Sequence, residues 1–169
     1  MGMPRKLKNF NLFHNGELFA GQVAELTLPK LTRSTEDWRG GGMSGPIKID
    51  FGHEAIQLEW TAGGFMKSVL QQYGALKHDA VLLRFAGGYQ GEDSTAYDSV
   101  EIVVKGRHTE IDMGTAKAKE DTAFKVTTSA SYYKLSVNGE TLIELDFVNM
   151  IENIGGTDLA ASLRTAIGL

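Results

Sequence analysis

Cysteine is absent from the chain, which excludes disulfides and thiolate metal sites and leaves the fold to be held by packing alone. Long hydrophobic runs are missing too. No stretch approaches the roughly 18 apolar residues that a membrane-spanning helix needs, so no membrane anchor is expected. The basic start Arg5-Lys6-Leu7-Lys8 runs into Asn9, Asn11 and His14 in place of a signal-peptide core, which argues against Sec export. Lys6 stands where a myristoylation signal would want Ser or Thr. Positive charge is not in excess: 17 Lys and Arg face 21 Asp and Glu, a net charge of −4. A protein that grips nucleic acid through counterion release carries clustered cations, and this one does not.

What is present suits one folded domain. A length of 169 residues supports a single sizeable core, and 42% hydrophobic with 22% charged residues lies near the globular average. The 20 glycines and 3 prolines are spread between short runs of alternating apolar and polar residues, the mark of antiparallel β-structure. Asn15-Gly16 and Asn138-Gly139 each sit between such runs and predict two-residue type I′ hairpins. Further strands are expected over Val23–Leu28, Ile47–Phe51, Ile56–Thr61, Val81–Ala86, Val100–Ile111 and Phe124–Val137. The last two are long, which suggests extended ribbons, or strands carrying bulges such as one at Gly106. Helices are expected over Phe65–Tyr73, stopped by Gly74, and over Asp158–Ile167, capped by Thr157 or Asp158 and stopped by Gly168. The fold class is therefore mainly β (α+β), an antiparallel barrel or sandwich with one or two flanking helices. Lys30–Pro46, with Gly40-Gly41-Gly42-Met43-Ser44-Gly45-Pro46 at its centre, reads as a projecting loop.

The chemistry-bearing residues do not assemble into a catalytic set. Gly40, Gly42 and Gly45 match the spacing of a dinucleotide loop, but an alternating strand follows where the motif requires a helix. His14, His53, His78 and His108 lie far apart in sequence without metal-ligand spacing, and read as solvated or packing residues. Glu110, Asp112, Glu120 and Asp121 alternate with Lys105, Arg107, Lys117, Lys119 and Lys125, a charge mosaic. No Ser carries a nucleophile-elbow pattern. No enzyme, cofactor or metal is expected.

Three strands divide into a wet and a dry face. Lys48 and Asp50 oppose Ile47, Ile49 and Phe51. Gln57, Glu59 and Thr61 oppose Ile56, Leu58 and Trp60. Lys125, Thr127, Ser129 and Ser131 oppose Phe124, Val126, Thr128, Ala130 and Tyr132.

Blocks along nearly the whole chain resemble one family, the FII-type major tail tube proteins of P2-like contractile phages, with the R-type pyocin tube as a relative. They are Met3-Pro4-Arg5-Lys6-Leu7, Leu26-Thr27-Leu28-Pro29-Lys30-Leu31-Thr32-Arg33, Arg39-Gly40-Gly41-Gly42-Met43, Leu58-Glu59-Trp60 and Leu83-Arg84-Phe85-Ala86-Gly87. Gly106-Arg107 with Glu110-Ile111-Asp112, Tyr132-Tyr133-Lys134-Leu135, Asp146 with Val148-Asn149-Met150-Ile151, and Ile167-Gly168-Leu169 complete the series. Gly91–Asp98 resembles the family least. The resemblance implies a structural subunit that forms homohexameric rings, stacked into a hollow tube inside a contractile sheath, in a virion tail or a pyocin-like particle assembled in the bacterial cytoplasm. Its implied partners are further copies of itself, the tail sheath protein, baseplate or spike and tail terminator proteins, and DNA as transient, non-specific cargo.

On that reading Arg39, Gly40, Gly41, Gly42, Met43, Ser44, Gly45 and Pro46 form an inter-subunit loop. Lys48, Asp50, Gln57, Glu59, Thr61, Lys125, Thr127, Ser129 and Ser131 are candidates to face the lumen, with the apolar faces packed on the helices. Two other readings are a type VI secretion tube protein, which shares this fold, and a monomeric ligand-binding β-sandwich.

Overall fold

The computed structural model describes residues 2–169. The chain begins with strands β1 (Lys6–His14), β2 (Glu17–Leu18), β3 (Val23–Thr27), β4 (Arg33–Trp38), β5 (Ile47–His53) and β6 (Ile56–Ala62), followed by helix α1 (Lys67–Gln71). It continues through β7 (Val81–Gln90), β8 (Asp98–Asp112), β9 (Phe124–Val137), β10 (Glu140–Asp146), β11 (Ile151–Ile154) and β12 (Thr157–Asp158) to α2 (Ala161–Ala166). Ten strands form one antiparallel sheet in the order β12-β11-β10-β9-β8-β7-β1-β2, with β6 joined to β9 and β3 to β6. Within one chain this sheet does not close into a barrel. Strands β4 and β5 stand apart as a two-stranded sheet.

The turns follow from residue chemistry. Asn15 and Gly16 adopt φ of 48° and 84°, Asn138 and Gly139 φ of 51° and 82°, so both hairpins take the left-handed pair that asparagine and glycine tolerate. Their flanking pairs, His14 with Glu17 and Val137 with Glu140, close directly over two-residue loops.

Strand β9 organises the sheet because its length lets it serve two neighbours on one side. Its first half pairs with β6 and its second half with β10, while β8 runs along the other side of both. The bulge expected near Gly106 is present, with the extra residue on the partner strand: Lys105 pairs with Tyr132 and Gly106 with Ala130, leaving Ser131 over. A Cβ on Gly106 would lie 1.9 Å from the Ser129 carbonyl oxygen, so glycine alone permits this approach. The extra residue shifts the alternation. Phe124, Val126, Thr128 and Ala130 are buried as expected, but beyond the bulge Tyr133 is buried, and Tyr132 leaves the dry row on which it was expected. The Tyr132 hydroxyl donates to Glu144 at 3.1 Å, and the Lys105 ammonium lies 4.7 Å from the ring centre. Partial burial, reinforced by the Glu144 charge, raises that phenol to about 12.

Two apolar clusters lie behind the sheet. One joins Leu58, Trp60, Phe124 and Val126 to Leu12, Leu83 and the α1 side chain Val69; the other is built on Phe85, Ile102, Val104, Tyr133 and Leu145. Helix α1 is shorter than expected, and φ at Gly74 is not positive, so that glycine is not the left-handed stop predicted for it. Helix α2 also departs from expectation. Thr157 and Asp158 pair with β11 instead of opening the helix, and Leu159, Leu163 and Ile167 stand exposed instead of packing on the sheet.

The segment expected to be loop from Lys30 to Pro46 is half strand. Residues 33–38 pair with β5, and only residues 39–46 form the connecting tip. Nor does β5 have a dry side: Ile47, Ile49 and Phe51 are exposed, as is Trp38 across from Ile47. The pair forms an arm whose apolar row is left uncovered among the described residues.

Candidate assembly interface

Strands β3, β6, the first half of β9 and the last part of β8 form a four-stranded wall with one polar face. Register places side chains in rows across it. Thr27 pairs with Glu59, Glu59 with Thr127 and Thr127 with Glu110; beside them run Glu25, Thr61, Lys125 and Asp112, then Gln57, Ser129 and Arg107. Directly paired residues point to the same face, so Gln57, Glu59, Thr61, Lys125, Thr127 and Ser129 are brought together. Four carboxylates against two cations leave this face at −2. Its other side is the core, where Leu58, Trp60, Ala62 and Val126 meet Met66 and Val69.

The remaining candidates fall elsewhere. Lys48 and Asp50 lie in the arm, not in this wall: Lys48 pairs with Asp37 at 2.8 Å, and Asp50 accepts from the Gly52 amide and faces Arg33 at 3.4 Å. Ser131, the bulged residue, turns to the wall's margin, where its hydroxyl meets a ring nitrogen of His78 at 2.8 Å.

Both edges of the wall are free among the described residues. Strand β3 pairs only with β6. Strand β8 loses β7 at Gly106, so residues 107–112 have a partner only on the β9 side. Within that stretch Thr109 has no opposite number on β9.

The arm is rooted in charge. Arg33 forms ion pairs with Glu152 and Asp50, and the His53 ring stacks on Phe147 with centroids 5.7 Å apart. His53 Nε2 lies 3.4 Å from the same Glu152 carboxylate without the alignment of a hydrogen bond. At the tip, the Gly40 amide points to the Met43 sulfur at 3.1 Å, Arg39 Nε donates to the Met43 carbonyl at 3.3 Å, and Gly42 takes a φ of 84°. The glycine-rich tip is thus an ordered turn, not a phosphate cradle, and β5 follows it where a dinucleotide loop would open a helix.

Sequence spacing did not bring two of the histidines together; the fold does. His14 and His108 are 2% and 4% exposed, with their Nε2 atoms 3.1 Å apart, and His108 Nδ1 meets the Thr128 hydroxyl at 2.9 Å. A signal was available in the alternation, since Leu12 and His14, Val104 and His108, and Val126 and Thr128 share the phase of buried rows. Polar residues at dry positions call for one another as partners.

A wet wall with two unpaired edges, beside an arm with an uncovered apolar row, is the anatomy of a subunit meant to be joined to others. The family model described as phage tail tube protein FII matches residues 4–168. The chain belongs to the FII tail tube family. The tail tube protein of Escherichia phage P2 is 45% identical over 172 aligned positions that cover all of both chains. The major tail tube protein of Serratia phage KSP20 is 38% identical, covering all of this chain and 99% of that one. Among solved structures, the tube-terminating cap of the anti-feeding prophage superposes with a TM-score of 0.60 at 14% identity, covering 80% of this chain and 93% of its own. A chain of the sheath–tube complex of the extracellular contractile injection system PVC superposes with a TM-score of 0.58 at 12% identity, covering 79% and 91%. These structural likenesses concern the fold. It is the tail tube fold, mostly antiparallel β with two short helices.

Proposed function

We infer that this chain is the structural subunit of a contractile phage tail tube, a component of the virion tail that carries out no chemistry, and that it works by closing into homohexameric rings. The observation that carries the reading is the four-stranded wall with a wet face and two free edges. Neighbouring strands in it are antiparallel throughout, so β8 and β3 run in opposite senses. Residues 107–112 of one copy therefore pair with β3 of the next without breaking the alternation, and the repeat closes on itself. Edges that would invite aggregation in a monomer become the joint.

Six copies of a four-stranded wall, with strands about 4.8 Å apart and tilted about 45°, put the backbone at roughly 26 Å radius, which leaves a passage for duplex DNA after side chains. The polar rows that include Gln57, Glu59, Thr61, Lys125, Thr127 and Ser129 line that passage. With four carboxylates to two cations, the lining repels phosphate, so DNA is passing cargo. The dry side, with α1, faces outward toward the sheath. The arm carries Lys48 and Asp50 away from the wall, and its tip at residues 39–46 reaches an adjacent subunit, covering Trp38, Ile47, Ile49 and Phe51. Rings stack through such contacts, and the ends of the stack meet baseplate or spike and terminator proteins. The relatives that match over the full chain are phage proteins, which favours this reading over a type VI secretion tube.

Negative-stain microscopy of concentrated protein tests the proposal. Hollow filaments or rings are expected, and Thr109→Pro, placed on the free edge at the residue that has no opposite number on β9, leaves a folded subunit that forms neither. A native chain that stays a single 18 kDa species at high concentration overturns the reading.

A further inference from the structure

The buried pair His14 and His108 lies behind the wall's wet face, at its open edge. His108 belongs to residues 107–112, the part of β8 that has lost β7. His14 ends β1, and the contact between the two Nε2 atoms spans 94 positions of sequence. We propose that this pair is an acid-sensitive latch, in which one proton held between the two rings ties β1 to the free edge of β8, and further protons release that edge.

The argument is one of counting donors. Two nitrogens 3.1 Å apart are joined when one carries a proton and the other does not. Thr128 Oγ1 satisfies the far side of the His108 ring in either direction, because a hydroxyl both donates and accepts. A first added proton places a cation in an apolar site. A second sets two N–H groups face to face, and the tie becomes a repulsion.

The surroundings offer little relief. Strand β2 brings Glu17 opposite His14, the one carboxylate whose charge favours protonation there. Strand β7 brings Leu83 at that register, the Phe19 ring stacks on His14 at 5.4 Å, and β9 brings Thr128. On β8 itself Arg107 and Glu110 belong to the opposite, wet face. Burial accordingly holds both rings below the ordinary histidine range, His108 to about 4, with the His14 charge adding to the effect there and Glu17 opposing it at His14.

The consequence for assembly rests on the tube reading; the latch itself does not. The test is hydrogen–deuterium exchange on dilute, full-length subunit between pH 7.5 and 4, corrected for intrinsic exchange and paired with an imidazole NMR titration. Protection of residues 10–14 and 107–112 should fall at least tenfold as the pair takes up its second added proton, well below pH 6. The double variant His14→Gln/His108→Gln keeps one donor facing one acceptor and cannot charge, so its protection should stay flat. Unchanged protection through the titration, or uptake of a proton near the ordinary histidine value, overturns the proposal. So does a double variant with the native acid profile. If the variant does not fold, the native titration alone decides. Wild-type tubes formed at pH 7.5 should open at pH 4.5 while double-variant tubes persist; absence of tubes at every pH would instead count against the tube reading.

Discussion

Strands β5 and β6 carry nearly the same alternation, IKIDFGH and IQLEWTA, and meet opposite fates. In β6 the residues Ile56, Leu58, Trp60 and Ala62 are each no more than 2% exposed, whereas Ile47, Ile49 and Phe51 of β5 are 54%, 38% and 64% exposed. The difference lies in what stands behind each strand. Strand β6 has a ladder on both sides and α1 at its back; β5 has β4 alone. An alternating pattern states that a strand will have a covered face, and it does not say which molecule provides the cover. For β6 the cover is the subunit's own core; for β5, on the proposed assembly, it is another copy.

This contrast can be broken in order of size. Trp60→Ala should cost about 3–5 kcal/mol in urea unfolding, the toll of a large cavity in a packed core. Phe51→Ala should change subunit stability by no more than about 0.5 kcal/mol yet abolish or shorten filaments under the microscope. A comparable stability loss from both would mean that the arm packs within its own chain.

Acid should come next. Unfolded histidine takes its proton near 6.5, while folded His108 stays neutral to about 4, so between these values the unfolded chain binds more protons and stability falls as pH drops. The His108 shift alone amounts to about 3 kcal/mol by pH 4, and equilibrium unfolding across that window should show the decline. His14, also depressed by burial, contributes in the same direction.

Glu152→Ala should have a smaller effect, about 1 kcal/mol or less, because its partner Arg33 is part-exposed and solvent screens the pair. Its signature is local: limited proteolysis should cut faster within residues 39–46 while the body stays intact. Deleting residues 41–45 sharpens the same point, leaving a folded subunit that does not polymerise.

Much of this was legible before the structure. Asn15-Gly16 and Asn138-Gly139 announce their hairpins because few residues accept two successive positive φ angles, and the dry row of β6 announces the core. Features that depend on distant approach were not. The phase of β9 changes at Ser131 because Gly106, remote in sequence, lets β8 close upon Ser129, and nothing local to Tyr132 records that event. Arg33–Trp38, with the polar run Arg33-Ser34-Thr35-Glu36-Asp37, lacks an apolar alternation, so its strand character comes from pairing with β5. The stripe on α2 was visible, but its exposure was not, since a helix pattern does not reveal whether its cover is intramolecular.

Cryo-electron microscopy of tubes grown from this chain tests the central claim most directly. It should show residues 107–112 of one copy laddered antiparallel onto β3 of its neighbour, with Gln57, Glu59, Thr61, Lys125 and Thr127 turned to the bore. Tubes in which those edges stay unpaired, or in which these side chains face the sheath, would contradict the account.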